Sequence, residues 1–249
     1  MVTIVTYATD AVQANFCRSG PLTYPMKRFV LAAVLLGGTL LPVAAVAHHQ
    51  PGHTGGPGGG TATLSIAAKP NPVVFGRDVS LSGRLGGQNP AGKSIKLEAD
   101  PFPYGGFQTV GSATTNAQGA WALTHEPRVN TRYRASQGST SSVILTEKVR
   151  IRVSRRVSDG TPAVGKRIRF RGRACPEHDG AEVRFQRRTS SGRWRTKRRT
   201  TLKDITGSTC SRYSKRFRVF KDGTYRVKVV SPHGDHANGI SRRKRIDVH

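Results

Sequence analysis

The sequence predicts an all-β protein in which two tandem antiparallel β-sandwiches follow a signal peptide and a flexible linker. Three observations carry this reading. Beyond Ala47, apolar residues recur with period two, and no stretch carries a helical period. Gly, Asn, Asp and Pro break these runs every 8–12 residues, the spacing of turns between short strands. The chain also repeats itself. Gly76-Arg77-Asp78-Val79-Ser80-Leu81-Ser82-Gly83 lies over Gly165-Lys166-Arg167-Ile168-Arg169-Phe170-Arg171-Gly172, with an offset of 89 residues at both glycines. Gly92 to Leu97 then matches Gly180 to Phe185, Gly106-Phe107 matches Gly192-Arg193-Trp194, and Asn130 to Arg134 matches Asp222 to Arg226. A repeat this long is a duplicated module, not a solenoid of short units.

Residues 1–25 carry no pattern, and synthesis from Met26 would make them a mis-called start, with Cys17 never made. Met26-Lys27-Arg28 precedes an apolar run from Phe29 to Ala47 that ends in Ala45-Val46-Ala47. A positive start, an apolar middle and a small-x-small exit define a secretory signal peptide over 26–47, cut after Ala47. The rival is an uncleaved membrane anchor, since the run of 19 residues approaches a bilayer-spanning length. Gly37, Gly38 and Pro42 interrupt it, and no charged stop-transfer cluster follows. Residues 48–60, HHQPGHTGGPGGG, contain little that could pack and read as a tether. Its His48, His49 and His53 could collect transition metals, but a floppy tract ligates poorly. Export would leave two thiols, Cys175 and Cys210, and an oxidising compartment would pair them.

The copies are expected over 61–149 and 150–249. In the first, Val79, Leu81 and Leu85 share a face, as do Ile95 and Leu97, Trp121 and Leu123, and Val143 and Leu145. The second repeats this with Ile151 and Val153, Ile168 and Phe170, Val183 and Phe185, Phe217 and Val219, and Tyr225, Val227 and Val229. Gly83 and Gly172 fall at inward positions, where a missing side chain admits the opposite sheet or a bulge. Tyr133 and Tyr225 open a late core strand, with hydroxyls expected to bond backbone.

The segments VVFGRDVSLSGRL, AGKSIKLEADPFPYGGFQTVGSATTNAQGAW and NTRYRAS resemble immunoglobulin-like domains of secreted actinobacterial proteins. The resemblance covers 61–149 well and 150–249 more loosely, because the second copy lacks PFPYGG and gains a cysteine pair. It implies an extracellular immunoglobulin-like sandwich and little about activity.

Charge is unevenly shared. The chain holds 41 Lys+Arg against 14 Asp+Glu; residues 150–249 carry 29 and 8, residues 61–149 only 9 and 5. Alternation decides where this charge goes. With Ile168 and Phe170 inside, Arg167, Arg169, Arg171 and Arg173 line the outer face of their strand. The same parity turns Arg184, Arg216, Arg218, Arg226 and Lys228 outward, and Arg193, Arg195, Lys197 and Arg199 project from the hairpin holding Trp194. Arginine rows on neighbouring strands repel unless anions lie between them. They point to an extracellular polyanion or cell-envelope polymer, which the guanidinium fork grips in paired hydrogen bonds. The alternatives are a structural envelope module with incidental charge, or a carbohydrate-binding module using Phe102, Tyr104 and Phe107 in the stiff PFPYGGF turn.

Catalysis finds no footing. The chain has no G-x-S-x-G, H-E-x-x-H or G-x-x-x-x-G-K-[ST] motif, so neither enzyme activity nor a cofactor is expected. His233, Asp235 and His236 form a compact His/Asp group, but a lone pair of His in a Pro/Gly turn lacks a third ligand, so no metal site is expected. Glu177, Asp179 and Glu182 are expected to ion-pair with nearby Arg. Sequence-specific nucleic-acid reading is not expected without a recognition helix or stacking platform, and Arg242-Arg243-Lys244-Arg245 reads as the start of a terminal strand. Membrane contact is expected only through an uncleaved signal segment, and oligomeric state is left open.

Overall fold

The structure, a computed structural model, describes residues 62–249. The expectations for residues 1–25, the signal peptide, the tether with its three His and Cys17 lie outside the described residues. Within them every regular element is a strand, and no helix there is long and apolar enough to cross a membrane.

The first half holds β1 (Thr63–Leu64), β2 (Ala67–Lys69), β3 (Val73–Val74), β4 (Val79–Gly86), β5 (Ser94–Pro101), β6 (Gln108–Thr114), β7 (Ala120–His125), β8 (Thr131–Gln137), β9 (Thr140–Ser141), β10 (Leu145–Glu147) and β11 (Val149–Arg150). The second holds β12 (Arg152–Val153), β13 (Arg156–Val157), β14 (Arg167–Cys175), β15 (Glu182–Arg188), β16 (Trp194–Thr201), β17 (Ser211–Arg218), β18 (Gly223–Val229), β19 (Gly239–Ile240) and β20 (Lys244–Ile246). β4 carries β1 and β2 along one edge and β7 along the other; β5 lies between β6 and β8, and β8 continues to β10. The pattern returns, with β14 between β12 and β13 on one edge and β17 on the other, and with β15 between β16 and β18. All these pairs are antiparallel, whereas β3 and β11 pair in parallel.

Alternation places the cores. Val79, Leu81, Ile95, Leu97, Trp121 and Tyr133 are buried in the first. Phe170 stacks on Phe217 at 4.9 Å in the second and meets Phe185 edge-on at 5.6 Å. Val143 departs from the expected pattern: it is 75% exposed, while Leu145 is half-buried. Ser142 bonds both the N–H and the carbonyl of Ala135, and pairing resumes at Leu145 with Tyr133. Val143 and Ile144 therefore stand opposite Arg134 alone, as a bulge.

Gly83 and Gly172 admit the edge of their own sheet, not the opposite sheet. Gly83 pairs with Trp121 and Gly172 with Tyr213. A Cβ at Gly83 would overlap the Ser65 carbonyl and the Trp121 ring; one at Gly172 would overlap the Ser154 carbonyl and the Tyr213 ring. At these points the edge strand is broken between β1 and β2, or between β12 and β13. The Ser hydroxyl takes over the ladder, accepting from Arg84 N–H at 2.9 Å and from Arg173 N–H at 2.8 Å. Tyr225 donates to the Lys221 carbonyl at 2.9 Å, but the Tyr133 hydroxyl meets His125 Nδ1 at 2.6 Å because β7 ends beside it.

Cys175 and Cys210 form a disulfide, with Cα atoms 4.4 Å apart, one step beyond the Ala174–Ser211 pair. A disulfide fits an oxidising, extracellular setting. Val149 belongs to the first core and Ile151 to the second. Asn130 clamps this crossing. Its amide donates to the Gly234 carbonyl at 2.7 Å, its Oδ1 accepts from Val149 N–H at 2.8 Å, and its own N–H donates to the Asp235 carbonyl at 2.7 Å.

Candidate functional site

The sequence RIRFRGRAC must form a strand with two unlike faces. Ile168, Phe170 and Ala174 are buried, and Arg167, Arg171 and Arg173 are exposed, with Arg169 half-buried between them. β17 does the same with Tyr213 and Phe217 inside and Arg212, Arg216 and Arg218 outside. The register then sets like charges opposite one another: Arg167 faces Arg218, Arg169 faces Arg216, and Arg173 faces Arg212. On the far edge Arg156 of β13 pairs with Arg171.

Side chains on directly opposed strand positions lie about 5 Å apart, so each pair brings two cations together. Among the described residues none of these eight guanidiniums forms an ion pair with a carboxylate. Two adjoining depressions open on this face. One, of about 780 Å³, is lined by Ser154, Arg156, Arg169, Arg171, Arg173 and Arg212, with Gly172 and Tyr213 in its floor. The other, of about 660 Å³, is lined by Arg155, Arg156, Arg167, Arg169, Arg171, Arg216 and Lys244. Arg156, Arg169 and Arg171 border both. Arg155 is partly withdrawn: it donates to the Arg242 and Arg243 carbonyls, and burial holds its pKa below the ordinary value.

The remaining basic candidates lie on the other sheet and do not extend this face. Arg184 and Arg199 both bind Glu182, which holds the Glu182 carboxyl below its usual range through the Arg184 hydrogen bond. Arg226 lies 4.0 Å over the Trp194 ring and donates to Gln186 Oε1 at 2.8 Å. Lys228 stands beside Arg184 in the β15–β18 register. The expected row from Arg193 to Arg199 is broken. The β15–β16 register shifts between Phe185 and Gln186, so Arg199 opposes Arg184 while Trp194 and Arg195 oppose Arg188 and Arg187. Lys197 falls at the shift, where burial and then the neighbouring cations depress its pKa.

Phe102, Tyr104 and Phe107 are each half-buried. Arg132 lies 3.9 Å over the Tyr104 ring and Arg134 lies 4.4 Å over Phe107, so two of the three rings already have a guanidinium on one face. Arg134 is itself fixed by a two-pronged pair with Glu98 at 2.8 and 3.1 Å. A sugar would have to stack on what these leave open.

The acidic expectations are corrected in part. Glu182 ion-pairs as expected, but exposed Glu177 and Asp179 gather with Asp204 instead of Arg, and the Asp179 contact pushes the Glu177 carboxyl upward. His233 is exposed and stands apart from Asp235 and His236, to which the fold brings His178. Arg155, Arg156, Arg212 and Lys244 join this face beyond the residues expected there from sequence. Alternation around Val157 and Tyr213 contains the signal for Arg156 and Arg212.

The chain matches no protein-family model and no curated protein.

Proposed function

We propose that this chain is a secreted, non-enzymatic interaction module of two tandem immunoglobulin-like sandwiches, the second of which binds a polyanion across β14 and β17. The observation that carries the reading is the set of cross-strand arginine pairs without carboxylate partners, lining two contiguous depressions. Phosphate- or sulfate-bearing polymers suit it, because each planar fork can take two oxygens and a chain of anions can follow the row. The net positive charge of residues 150–249 would also steer such a polymer to this half.

The test is retention on a phosphate polymer and on a carboxylate polymer of equal charge density, each at two ionic strengths. Arg169→Gln with Arg171→Gln is expected to weaken binding to the phosphate polymer at least tenfold and to shallow its salt dependence by about two counter-ions. Arg242→Gln with Arg243→Gln removes the same charge outside the depressions and is expected to cost much less. Equal losses from both pairs, or no preference between polymers, would leave only generic basicity and favour the structural envelope module. Retention that survives high salt and vanishes with Tyr104→Ala would favour the carbohydrate reading instead.

A further inference from the structure

The turn after β18 and the turn after β14 bring three metal-ligating groups together. His178 and His236 have side chains only 3% exposed, and Asp235 sits between them at 23%. Asp235 Oδ2 lies 2.9 Å from His236 Nδ1 and 3.4 Å from His178 Nε2, and the three ligand atoms all fall within 4.8 Å of one another. Four-coordinate zinc with bonds near 2.0–2.1 Å separates its ligand atoms by about 3.3 Å. The rings meet edge to face, with centroids 4.9 Å apart, so both nitrogens can aim at one point.

The outer nitrogens decide which lone pairs are available. His178 Nδ1 lies 3.1 Å from the Pro176 carbonyl, and His236 Nε2 lies 2.8 Å from the Arg128 carbonyl. A carbonyl only accepts, so those nitrogens carry the protons and donate. The inner nitrogens of the neutral rings then bear lone pairs, and both converge on a carboxylate oxygen. Neither inner nitrogen, though buried, has a hydrogen-bond partner. Three acceptors face one another around an empty centre. Asp235 is held in this pose through its other oxygen, which accepts from the Ser231 hydroxyl at 3.2 Å. Ring nitrogens oriented by backbone carbonyls are the outer-shell pattern of ligating histidines.

We propose that His178, Asp235 and His236 bind one zinc-class divalent metal ion at the boundary between the two halves, through His178 Nε2, His236 Nδ1 and Asp235 Oδ2. Two imidazoles and a carboxylate suit borderline cations such as Zn²⁺ over Ca²⁺ or Mg²⁺. The partly open Asp235 side leaves the fourth position to water. The ion would tie the two turns to each other, and through the Arg128 carbonyl on His236 it would stiffen the contact with the first half. The proposal is independent of the polyanion reading.

The test uses the chain purified as its host processes it, stripped with a chelator, then titrated with Zn²⁺ by calorimetry and with Co²⁺ by visible absorption. The upstream His48, His49 and His53 are a competing sink, so their triple replacement by Ala is the reference protein. It is expected to bind one equivalent, give the absorption of a four-coordinate Co²⁺ site, and melt at a higher temperature with Zn²⁺. His178→Gln and His236→Gln are each expected to lose at least tenfold in affinity and the Co²⁺ signal, with unchanged circular dichroism. Should either buried His variant fail to fold, Asp235→Asn, which keeps size and is partly exposed, carries the same expectation. Nitrogen-detected NMR of the reference protein is expected to show Zn²⁺ on Nε2 of His178 and Nδ1 of His236. Absence of stoichiometric binding in the reference protein, binding unaffected by Asp235→Asn, or metal on other nitrogens would overturn the site.

Discussion

Glu147 is fully buried, accepts one hydrogen bond from Val73 N–H at 2.8 Å, and leaves its second oxygen without a partner. Burial outweighs that bond and lifts its carboxyl from 4.5 to about 7. Because the folded value lies above the unfolded one, the native state holds the extra proton between pH 4.5 and 7. Stability contributed by this group is therefore greatest below about pH 4.5, falls through that window, and stays low above about pH 7. Glu147→Gln is expected to leave the melting temperature at pH 4.5 nearly unchanged and to raise stability at pH 8 by about 1–3 kcal/mol. Calorimetric melts of both proteins at the two pH values check it, and equal effects at both would refute the burial argument. Parity with Leu145 puts Glu147 on the inner face, but a carboxylate there runs against the usual apolar pattern, so sequence alone gives no reason to expect it buried. His178 is a sharper case. It lies far upstream of Asp235 and His236, in a turn of its own, and only the folding of β14 against its neighbours brings the three together. The arginines of β14 were legible, because a strand with Ile168 and Phe170 inside can put Arg167, Arg169 and Arg171 only outside.

Among the elements, β14 does several jobs in nine residues: it fills a core, presents the guanidiniums, and anchors the disulfide. Gly172 makes this possible by letting the broken edge strand and the Tyr213 ring close over the backbone. Gly172→Ala is expected to destabilise by about 1–3 kcal/mol, because the obstructing atoms are a backbone carbonyl and a buried ring that cannot swing away. Gly105→Ala, with nothing within 4 Å of the added carbon, is the control and should fall within about 0.5 kcal/mol. Denaturant melts of the two variants check this, and similar losses would show that the close approach is not what the glycine provides. The long strands were readable from alternation. The split edges were not, since β1, β12 and β13 are two residues each and give no period to read. The bulge between Phe185 and Gln186 was equally silent; it separates Arg195 from Arg199 in the expected row from Arg193 to Arg199, whose first member lies in the turn before β16.

Across the whole molecule, two cores are joined at a crossing where Val149 ends one and Ile151 begins the other. Most of the positive charge lies beyond that crossing, so the second half repels itself, and the disulfide and the anions it attracts both act against that repulsion. Among the contacts that couple the halves is the side chain of Asn130, 8% exposed, which bonds Gly234 on one side and Val149 on the other. Replacing it with Ala leaves the buried Val149 N–H without an acceptor and frees the Gly234 carbonyl, at about 1–3 kcal/mol for the unsatisfied group. Asn71 supplies a matched control. It donates to the Thr146 carbonyl at 2.9 Å and accepts from Lys148 N–H at 3.3 Å, the same two kinds of bond made wholly within the first half. Heat-capacity scans of the parent protein are expected to show one transition. Asn130→Ala should split it, with the second half melting at its own temperature, whereas Asn71→Ala should lower the midpoint and leave a single peak. A single unsplit transition in Asn130→Ala would mean that the halves communicate through the Ala237 N–H bond to the Val149 carbonyl and the His236 bond to the Arg128 carbonyl, not through the asparagine.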